Sequence, residues 1–194
     1  MISRFLADAA HRLRRFWDRV PSAAWRPPSM WWPAGIGTLA GLLAVTVAAP
    51  PRPLLIWNVS ESAPPGLYGV WRRGGLARGD LVAAHVPMRW RAFAGTRGYI
   101  PVNVPLIKRI AAREGDRVCS DRAGTRVNGR FVASRRRADG AGRPMPFWSG
   151  CARLKPGEFL LLMDKPESFD GRYFGATRPE DIVGEVGLLW ERRR

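Results

Sequence analysis

The sequence predicts a mainly β protein, in which an antiparallel β domain is preceded by an amphipathic helix and one transmembrane helix. Three observations support this prediction. Residues 31–49 carry no charge. From residue 54 onwards the chain consists of short apolar runs separated by Gly and Pro, a pattern typical of strands and turns. No stretch after residue 50 shows sustained helical periodicity.

Residues 1–30 form the first predicted segment. Within it, residues 2–20 place apolar side chains at three- and four-residue spacings and most arginines elsewhere on the helical wheel. This pattern predicts a basic amphipathic helix on the cytoplasmic side. Such a helix either lies on the acidic inner leaflet, in contact with inner-membrane lipid, or packs on a partner helix.

Residues 31–50 form the predicted transmembrane anchor. As a helix, the uncharged residues 31–49 span about 28 Å, close to the ~30 Å hydrocarbon core of a bilayer. Six arginines against two aspartates precede them, so the positive-inside rule places the amino terminus in the cytoplasm. The alternative is a cleaved signal peptide, because small residues occupy 47–49. Pro50 follows at once, which favours a retained anchor in the bacterial inner membrane. Either way, residues 51–194 lie in the periplasm.

The charge balance narrows the possible partners without choosing one. The 194-residue chain has 32 Lys and Arg against 16 Asp and Glu, a formal net charge of +16, and is 46% hydrophobic. That hydrophobic fraction suffices for a packed core and argues against a disordered chain. The positive charge suits nucleic acid, lipid headgroups or an acidic protein. Three basic residues are lysines, so an arginine-rich coding bias explains the excess equally well.

The exported part is predicted to form a series of strands. Asn128-Gly129 predicts a two-residue hairpin, because both turn positions need positive φ. Residues 134–151 form a basic, Gly- and Pro-rich excursion. The predicted strands lie within residues 54–57, 67–71, 80–86, 104–112, 116–119, 124–132, 158–164 and 182–190.

Few residues in this part can carry chemistry. Its one histidine, His85, lies in an apolar run and is predicted to be a strand residue rather than a base. We find no cluster with metal-ligand spacing and no phosphate-binding loop, so the sequence predicts neither metal nor cofactor.

Lys108 is the alternative candidate base. In an extended strand its side chain shares a face with Leu106 and Ile110. Lowering a lysine pKa from about 10.4 to about 7 costs roughly 4.6 kcal/mol, which burial can supply. The other lysines, Lys155 and Lys165, lie beside prolines in turns and suit this role less.

Five short segments carry a family resemblance. Their order and local residues resemble the type I signal peptidase superfamily of Ser/Lys proteases, over residues 55–190. The first segment is similar to the conjugative-transfer branch, the TraF-type peptidases that mature a pilin precursor. The segments are "SESAPPGLY" (60–68), "RGDLV" (78–82), "LIKRIAAREGDRV" (106–118), "VNG" (127–129) and "SFDGRYFGA" (168–176).

The resemblance implies roles for individual residues. Ser62 is implied to be the nucleophile and Lys108 its general base, while the Ser60 hydroxyl and the Ser62 backbone N–H form the oxyanion hole. Ser168 is implied to orient the lysine. Asp170 and Arg172 match a supporting acid/base pair, for which a structural salt bridge is the simpler interpretation.

The departures from the family pattern concern substrate and size. Ala63 stands where housekeeping enzymes usually have Met, so general signal peptidase activity is the less favoured alternative. The inserted part is reduced to about residues 117–157. Cys119 and Cys151 bracket it; as residues alone they are either a disulfide or free thiols, and the resemblance to periplasmic enzymes implies a disulfide.

The implied partners are an exported protein substrate, in particular a pilin precursor, and the conjugative transfer (type IV secretion) machinery. The alternative from another class is a non-catalytic membrane-anchored component that binds DNA or acidic partners through Arg135, Arg136, Arg137 and residues 192–194. Nucleic acid is not expected, because these basic residues lack interleaved aromatics and the domain lies outside the cytoplasm.

Overall fold

The computed structural model of the protein describes residues 31–48, 53–71 and 75–192. The chain divides into two compact units, Met1–Pro51 and Arg52–Arg194. The amphipathic helix predicted within residues 1–30 lies outside the described residues, so it stays a prediction.

The first unit contains one described helix, α1 (Trp31–Ala48). Its 18 residues have no buried side chain and are long and apolar enough to cross a membrane by length and composition. The hydroxyls of Thr38 and Thr46 donate to the carbonyls of Ala34 and Leu43 at 2.9 and 2.8 Å, which satisfies both hydroxyls within the helix. This helix could therefore anchor the protein, whereas its retention after export stays a prediction.

The second unit consists of two antiparallel sheets and short helices. One sheet has six strands in the order β1-β2-β10-β3-β4-β9, and the other has four in the order β7-β6-β5-β8. The elements are β1 (Leu55–Asn58), β2 (Gly66–Trp71), β3 (Leu81–Ala84), α2 (Met88–Thr96), β4 (Leu106–Ala112), β5 (Arg117–Ser120), β6 (Gly124–Val127), β7 (Arg130–Ser134), β8 (Gly150–Arg153), β9 (Leu160–Leu162), α3 (Gly171–Phe174), a 3-10 turn (Pro179–Asp181) and β10 (Ile182–Glu191). The mainly β, antiparallel fold class is confirmed.

The predicted hairpin is also confirmed. Asn128 and Gly129 have φ of 51° and 85° and join β6 to β7. Asparagine tolerates this left-handed region better than most residues, and glycine meets no steric penalty there. The local sequence was therefore sufficient to specify this turn.

Helix α2 was not among the predicted elements. Arg89 and Arg91 alternate with apolar side chains at its start and Ala94 is its one buried residue, so the nine-residue segment is too short for a clear helical period. Strand β8 was not predicted either, because all four of its residues are exposed. Both elements depend on their neighbours in the fold.

β4, which carries Lys108, is the fifth of the six strands of the larger sheet and is packed in the core. β4 pairs with β3 on one side and β9 on the other, with Lys108 opposite Val82. Ile110, Val82 and Leu161 pack together with at most 1% of each side chain exposed. Burying a side chain of this size stabilises the folded state by about 1.5–3 kcal/mol. Lys108 therefore lies on a well-packed strand.

The smaller sheet is cross-linked internally by a disulfide and packs on the larger sheet through apolar side chains. Cys119 of β5 and Cys151 of β8 lie opposite each other in register and are bonded as a disulfide. Val118 and Val127 pack against Leu160 of β9, in the larger sheet. The predicted insertion at 117–157 thus shares a hydrophobic core with the six-stranded sheet.

Candidate active site

Ser62 lies in the turn that joins β1 to β2. Asn58, at the end of β1, organises this turn. Its Nδ2 donates to the carbonyls of Ser60, Ala63 and Pro64 at 3.0, 3.1 and 3.1 Å, and its Oδ1 accepts from the Ser60 N–H at 3.0 Å. Asparagine is suited to this task because its amide both donates to and accepts from a nearby backbone.

The far side of the turn is held by β2. The hydroxyl of Tyr68 donates to the Pro64 carbonyl at 2.8 Å. Gly66, with φ of 157°, lies so close to β10 that a Cβ there would be 2.1 Å from the Trp190 carbonyl oxygen. Glycine is therefore required at this position, where the chain leaves the turn and passes close to β10.

Lys108 and Ser168 complete a chain of hydrogen bonds from Ser62. The Lys108 Nζ donates to the Ser62 Oγ at 2.8 Å and to the Ser168 Oγ at 3.0 Å. Lys108 is 2% exposed and Ser168 is 4% exposed. The three residues come from a turn, from β4 and from the segment before α3, and the fold brings them together.

The environment of Lys108 favours its uncharged form. Burial lowers the pKa of the Lys108 amine from 10.5 to about 8; Asp170 opposes this shift and Arg172 adds to it. With a pKa of about 8, about a tenth of the molecules carry a neutral amine at pH 7. A neutral amine that contacts a serine hydroxyl is able to accept its proton.

Ser60 lies beside the Ser62 hydroxyl. The two Oγ atoms are 2.9 Å apart, and the Ser62 N–H donates to the Ser60 Oγ at 3.3 Å. The two groups predicted to form the oxyanion hole thus contact each other in this structure. A substrate oxyanion that binds between them must replace the Ser60 Oγ as the acceptor of the Ser62 N–H.

Asp170 and Arg172 form a buried ion pair, with 0% and 1% of their side chains exposed. Asp170 Oδ1 accepts from Arg172 Nε at 2.8 Å, and its Oδ2 accepts from the Met163 N–H at 3.0 Å. Arg172 also donates to the carbonyls of Ser134, at 3.1 Å, and Met163. These contacts join β7 to the chain that follows β9. The pair therefore supports the segment that carries Ser168.

A cavity of about 470 Å³ contains the Ser62–Lys108 contact. Its lining comes from four parts of the chain: the Ser62 turn, β4, the segment around Ser168, and residues 136–145 together with Tyr99. The last group includes Arg136, Ala138, Asp139, Gly140 and Met145.

Two features of this site were not predicted from the sequence. The signal for Asn58 was present, since an asparagine at a strand end before Ser and Pro is typical of a turn former. The sequence of residues 136–145 carries no comparable signal. A basic, Gly-rich composition predicts a loop but does not predict where in the fold that loop packs. Neither His85 nor the two cysteines are among the described residues that line the cavity.

Comparisons with known proteins place the chain in a family. The family model described as "Signal peptidase, peptidase S26" matches residues 30–191. The "Plasmid transfer protein TraF" of Escherichia coli is 34% identical over 147 residues, covering 69% of this chain and 82% of the relative. A solved structure of a signal peptidase I from Enterococcus faecalis V583 aligns with a TM-score of 0.33 at 19% identity, covering 59% of this chain and 98% of that chain.

The family match spans most of the chain and includes every segment on which the resemblance was based. The resemblance to the signal peptidase superfamily, and to its TraF-type branch, is confirmed. The chain belongs to the signal peptidase S26 family, and this membership implies a signal peptidase-like function and serine-type peptidase activity.

Proposed function

We propose that the protein is a membrane-anchored serine peptidase that uses a Ser62–Lys108 dyad to remove a signal or propeptide from an exported protein. The observation that carries this proposal is the buried Lys108 amine, whose pKa is lowered to about 8 and whose Nζ contacts the Ser62 Oγ at 2.8 Å. A serine hydroxyl is a poor nucleophile until a neighbouring base accepts its proton. Lys108 meets both requirements, proximity and a pKa close to neutrality.

Acylation follows from this arrangement. Neutral Lys108 accepts the Ser62 proton as Ser62 Oγ attacks the scissile carbonyl. The oxyanion that develops is stabilised by the Ser62 N–H and the Ser60 hydroxyl. The Lys108 ammonium then donates its proton to the departing amine, the peptide C–N bond breaks, and an acyl-enzyme ester remains on Ser62. Ser168 orients the amine throughout these steps through the 3.0 Å contact.

Deacylation returns the dyad to its starting state. Lys108 accepts a proton from the second nucleophile as this attacks the ester, and returns it to Ser62. With water the product is a linear polypeptide with a new carboxyl terminus. With the amino terminus of the substrate's own acyl portion the product is cyclic and lighter by one water. Mass spectrometry of the product separates these two outcomes.

We further propose that the substrate is a pilin precursor of a conjugative transfer apparatus. The support is the 34% identity to a curated plasmid transfer protein. The catalytic domain would act at the periplasmic face of the inner membrane, where a precursor emerges during export. This topology rests on the apolar helix α1 and the basic residues before it.

The test is processing of two precursors by the full-length protein in membranes. Wild-type protein is expected to cleave a pilin precursor and to leave an ordinary secretory precursor intact. Ser62→Ala and Lys108→Met are expected to abolish cleavage, because each removes one member of the dyad. Ser149→Ala and Lys155→Met are the matched controls, since both positions are exposed and outside the cavity.

The possible results separate the alternatives. Normal processing by Ser62→Ala or Lys108→Met would refute the dyad. Equal cleavage of both precursors would indicate a general signal peptidase. Absence of cleavage together with tight, salt-dependent DNA binding would favour the non-catalytic alternative.

A further inference from the structure

Residues 136–145 contribute one wall of the cavity that contains Ser62 and Lys108. Ala138, Gly140 and Met145 line it there, together with Tyr99 from the segment that follows α2. These residues belong to the excursion between β7 and β8, a part of the chain for which the dyad mechanism has no use. The wall is therefore a candidate for a different task at the same site.

The wall is held rigidly around one carboxylate. Asp139 accepts hydrogen bonds from the Tyr99 hydroxyl at 2.6 Å, from Arg143 Nε at 2.8 Å and from the backbone N–H groups of Arg143 and Ala141 at 2.9 and 3.0 Å. Its side chain is 8% exposed. Several hydrogen bonds, of which the one from Tyr99 contributes most, hold the pKa of the Asp139 carboxyl well below its usual range. The carboxylate thus stays charged and the loop keeps one conformation.

Further contacts tie the loop to the rest of the domain. Arg97 donates to the Pro144 carbonyl at 2.8 Å, and the Arg97 carbonyl accepts from Arg143 at 3.0 Å. The Arg136 N–H donates to the Tyr173 hydroxyl at 3.2 Å, next to the aromatic cluster that carries Phe169. A loop attached at both ends to the core is able to discriminate by size, which a mobile loop cannot do.

Met145 has a special position in this wall. Its sulfur lies 3.2 Å from the Tyr99 hydroxyl oxygen, whose proton is donated to Asp139. It lines the catalytic cavity of about 470 Å³ and also a separate cavity of about 220 Å³, whose other residues include Arg135 and Phe147. Met145 therefore borders both cavities, and truncating its side chain would enlarge the space next to it.

We propose that residues 136–145 form the specificity wall of the peptidase, and that Met145, seated against Tyr99, limits the size of the substrate side chain accepted on the acyl side of the scissile bond. This inference rests on the proposed peptidase function. The acyl portion stays bonded to Ser62 in the same cavity, where Leu106, Met145 and Phe169 provide an apolar lining. The long Met145 side chain leaves less room there for a large substrate side chain. Sites at which leader segments are cleaved are rich in small side chains.

The test compares two peptides that differ in one residue on the acyl side, alanine in one and valine in the other, with the full-length enzyme in detergent micelles. Wild-type protein is expected to prefer alanine. Met145→Ala is expected to raise the valine-to-alanine ratio of kcat/KM by at least about tenfold, the usual discrimination for one or two methyl groups in a pocket.

A second variant predicts the opposite shift. Gly140 lines the cavity and a Cβ there meets nothing within 4 Å, so Gly140→Val adds bulk to the wall without a clash and is expected to lower the same ratio. Met145→Leu, which conserves volume, is expected to keep the wild-type ratio. Met88→Ala is the matched control, because Met88 is 73% exposed and lies outside the cavity.

Each outcome decides between the two proposals. If wild-type protein and Ser62→Ala cleave the peptides equally, or cleave neither, the peptidase function itself fails. If wild-type protein cleaves them, and Met145→Ala and Gly140→Val leave the ratio unchanged or lower both rates in parallel, the loop is structural and the specificity wall is overturned.

Discussion

Lys108 illustrates how burial and hydrogen bonding act on one residue at once. Its stem lies among apolar neighbours of β4, which disfavours a charged amine, while two serine hydroxyls accept from its Nζ. The net result is an amine with a pKa of about 8 that remains hydrogen-bonded. A fully exposed lysine would stay protonated at any physiological pH.

This balance predicts the pH dependence of activity. The pKa of Lys108 is lowered from 10.5 to about 8, so the neutral, active form is present above about pH 8 and is lost as pH falls through that value. We expect kcat/KM to fall about tenfold per pH unit below the pKa and to level off above it. A profile without an inflection between pH 7 and pH 9, measured on a soluble peptide, would contradict the assignment of the base.

The same shift affects stability with a defined sign. Between about pH 8 and pH 10.5 the unfolded chain binds a proton at Lys108 that the folded chain does not. Stability therefore rises with pH across this window through this group. Activity should level off above about pH 8, whereas this contribution to stability should keep rising up to about pH 10.5.

At the scale of the element, the turn between β1 and β2 positions Ser62, the proposed nucleophile. Asn58 donates hydrogen bonds to the backbone of this turn, and the Tyr68 hydroxyl donates to the Pro64 carbonyl. Gly66 has no side chain to clash with β10. None of these residues touches a substrate by the mechanism proposed here. They are positioning residues that keep Ser62 within reach of Lys108.

Asn58→Asp tests this positioning with little change of shape. A carboxylate has no proton to donate to the carbonyls of Ser60, Ala63 and Pro64, so the turn loses three contacts. We expect a loss of about 1–3 kcal/mol of stability and a fall in kcat with little change in KM. Kinetics and thermal unfolding measure both effects. Asn103→Asp, at an exposed position, is the control; equal behaviour of the two variants would count against the positioning role.

At the scale of the whole molecule, the disulfide and one wall of the cavity lie in the same part of the chain. The excursion that forms the specificity wall lies between β7 and β8, and Cys151 of β8 is bonded to Cys119 of β5. β8 has no buried side chain of its own. Its attachment therefore depends on backbone pairing and on this bond.

Reduction of the disulfide is expected to destabilise the domain by about 2–4 kcal/mol. The physical reason is that the bond restricts the unfolded chain between two cysteines 32 residues apart. Thermal unfolding with and without a thiol reductant measures the loss. The double variant Cys119→Ser with Cys151→Ser should unfold at the lower temperature in both conditions. A melting temperature that does not respond to reductant in the wild-type protein would contradict this expectation.

The sequence by itself determined the features that depend on neighbours along the chain. The apolar helix, most of the strands, the Asn128-Gly129 hairpin and the apolar face around Lys108 follow from spacing and local conformational preference. The order of five short segments was enough to identify the family.

Tertiary structure decided what depends on residues far apart in the chain. Ser62 and Lys108 are 46 residues apart in sequence and Lys108 and Ser168 are 60 apart, so only folding fixes their distances and the burial that lowers the lysine pKa. Helix α2 and strand β8 exist because other elements cover or pair with them. The wall at residues 136–145 is the clearest case: its composition is that of a solvated loop, and its contacts with Tyr99 and Tyr173 place it in the cavity. Local sequence sets backbone preference, whereas burial and electrostatics depend on which distant groups the fold brings together.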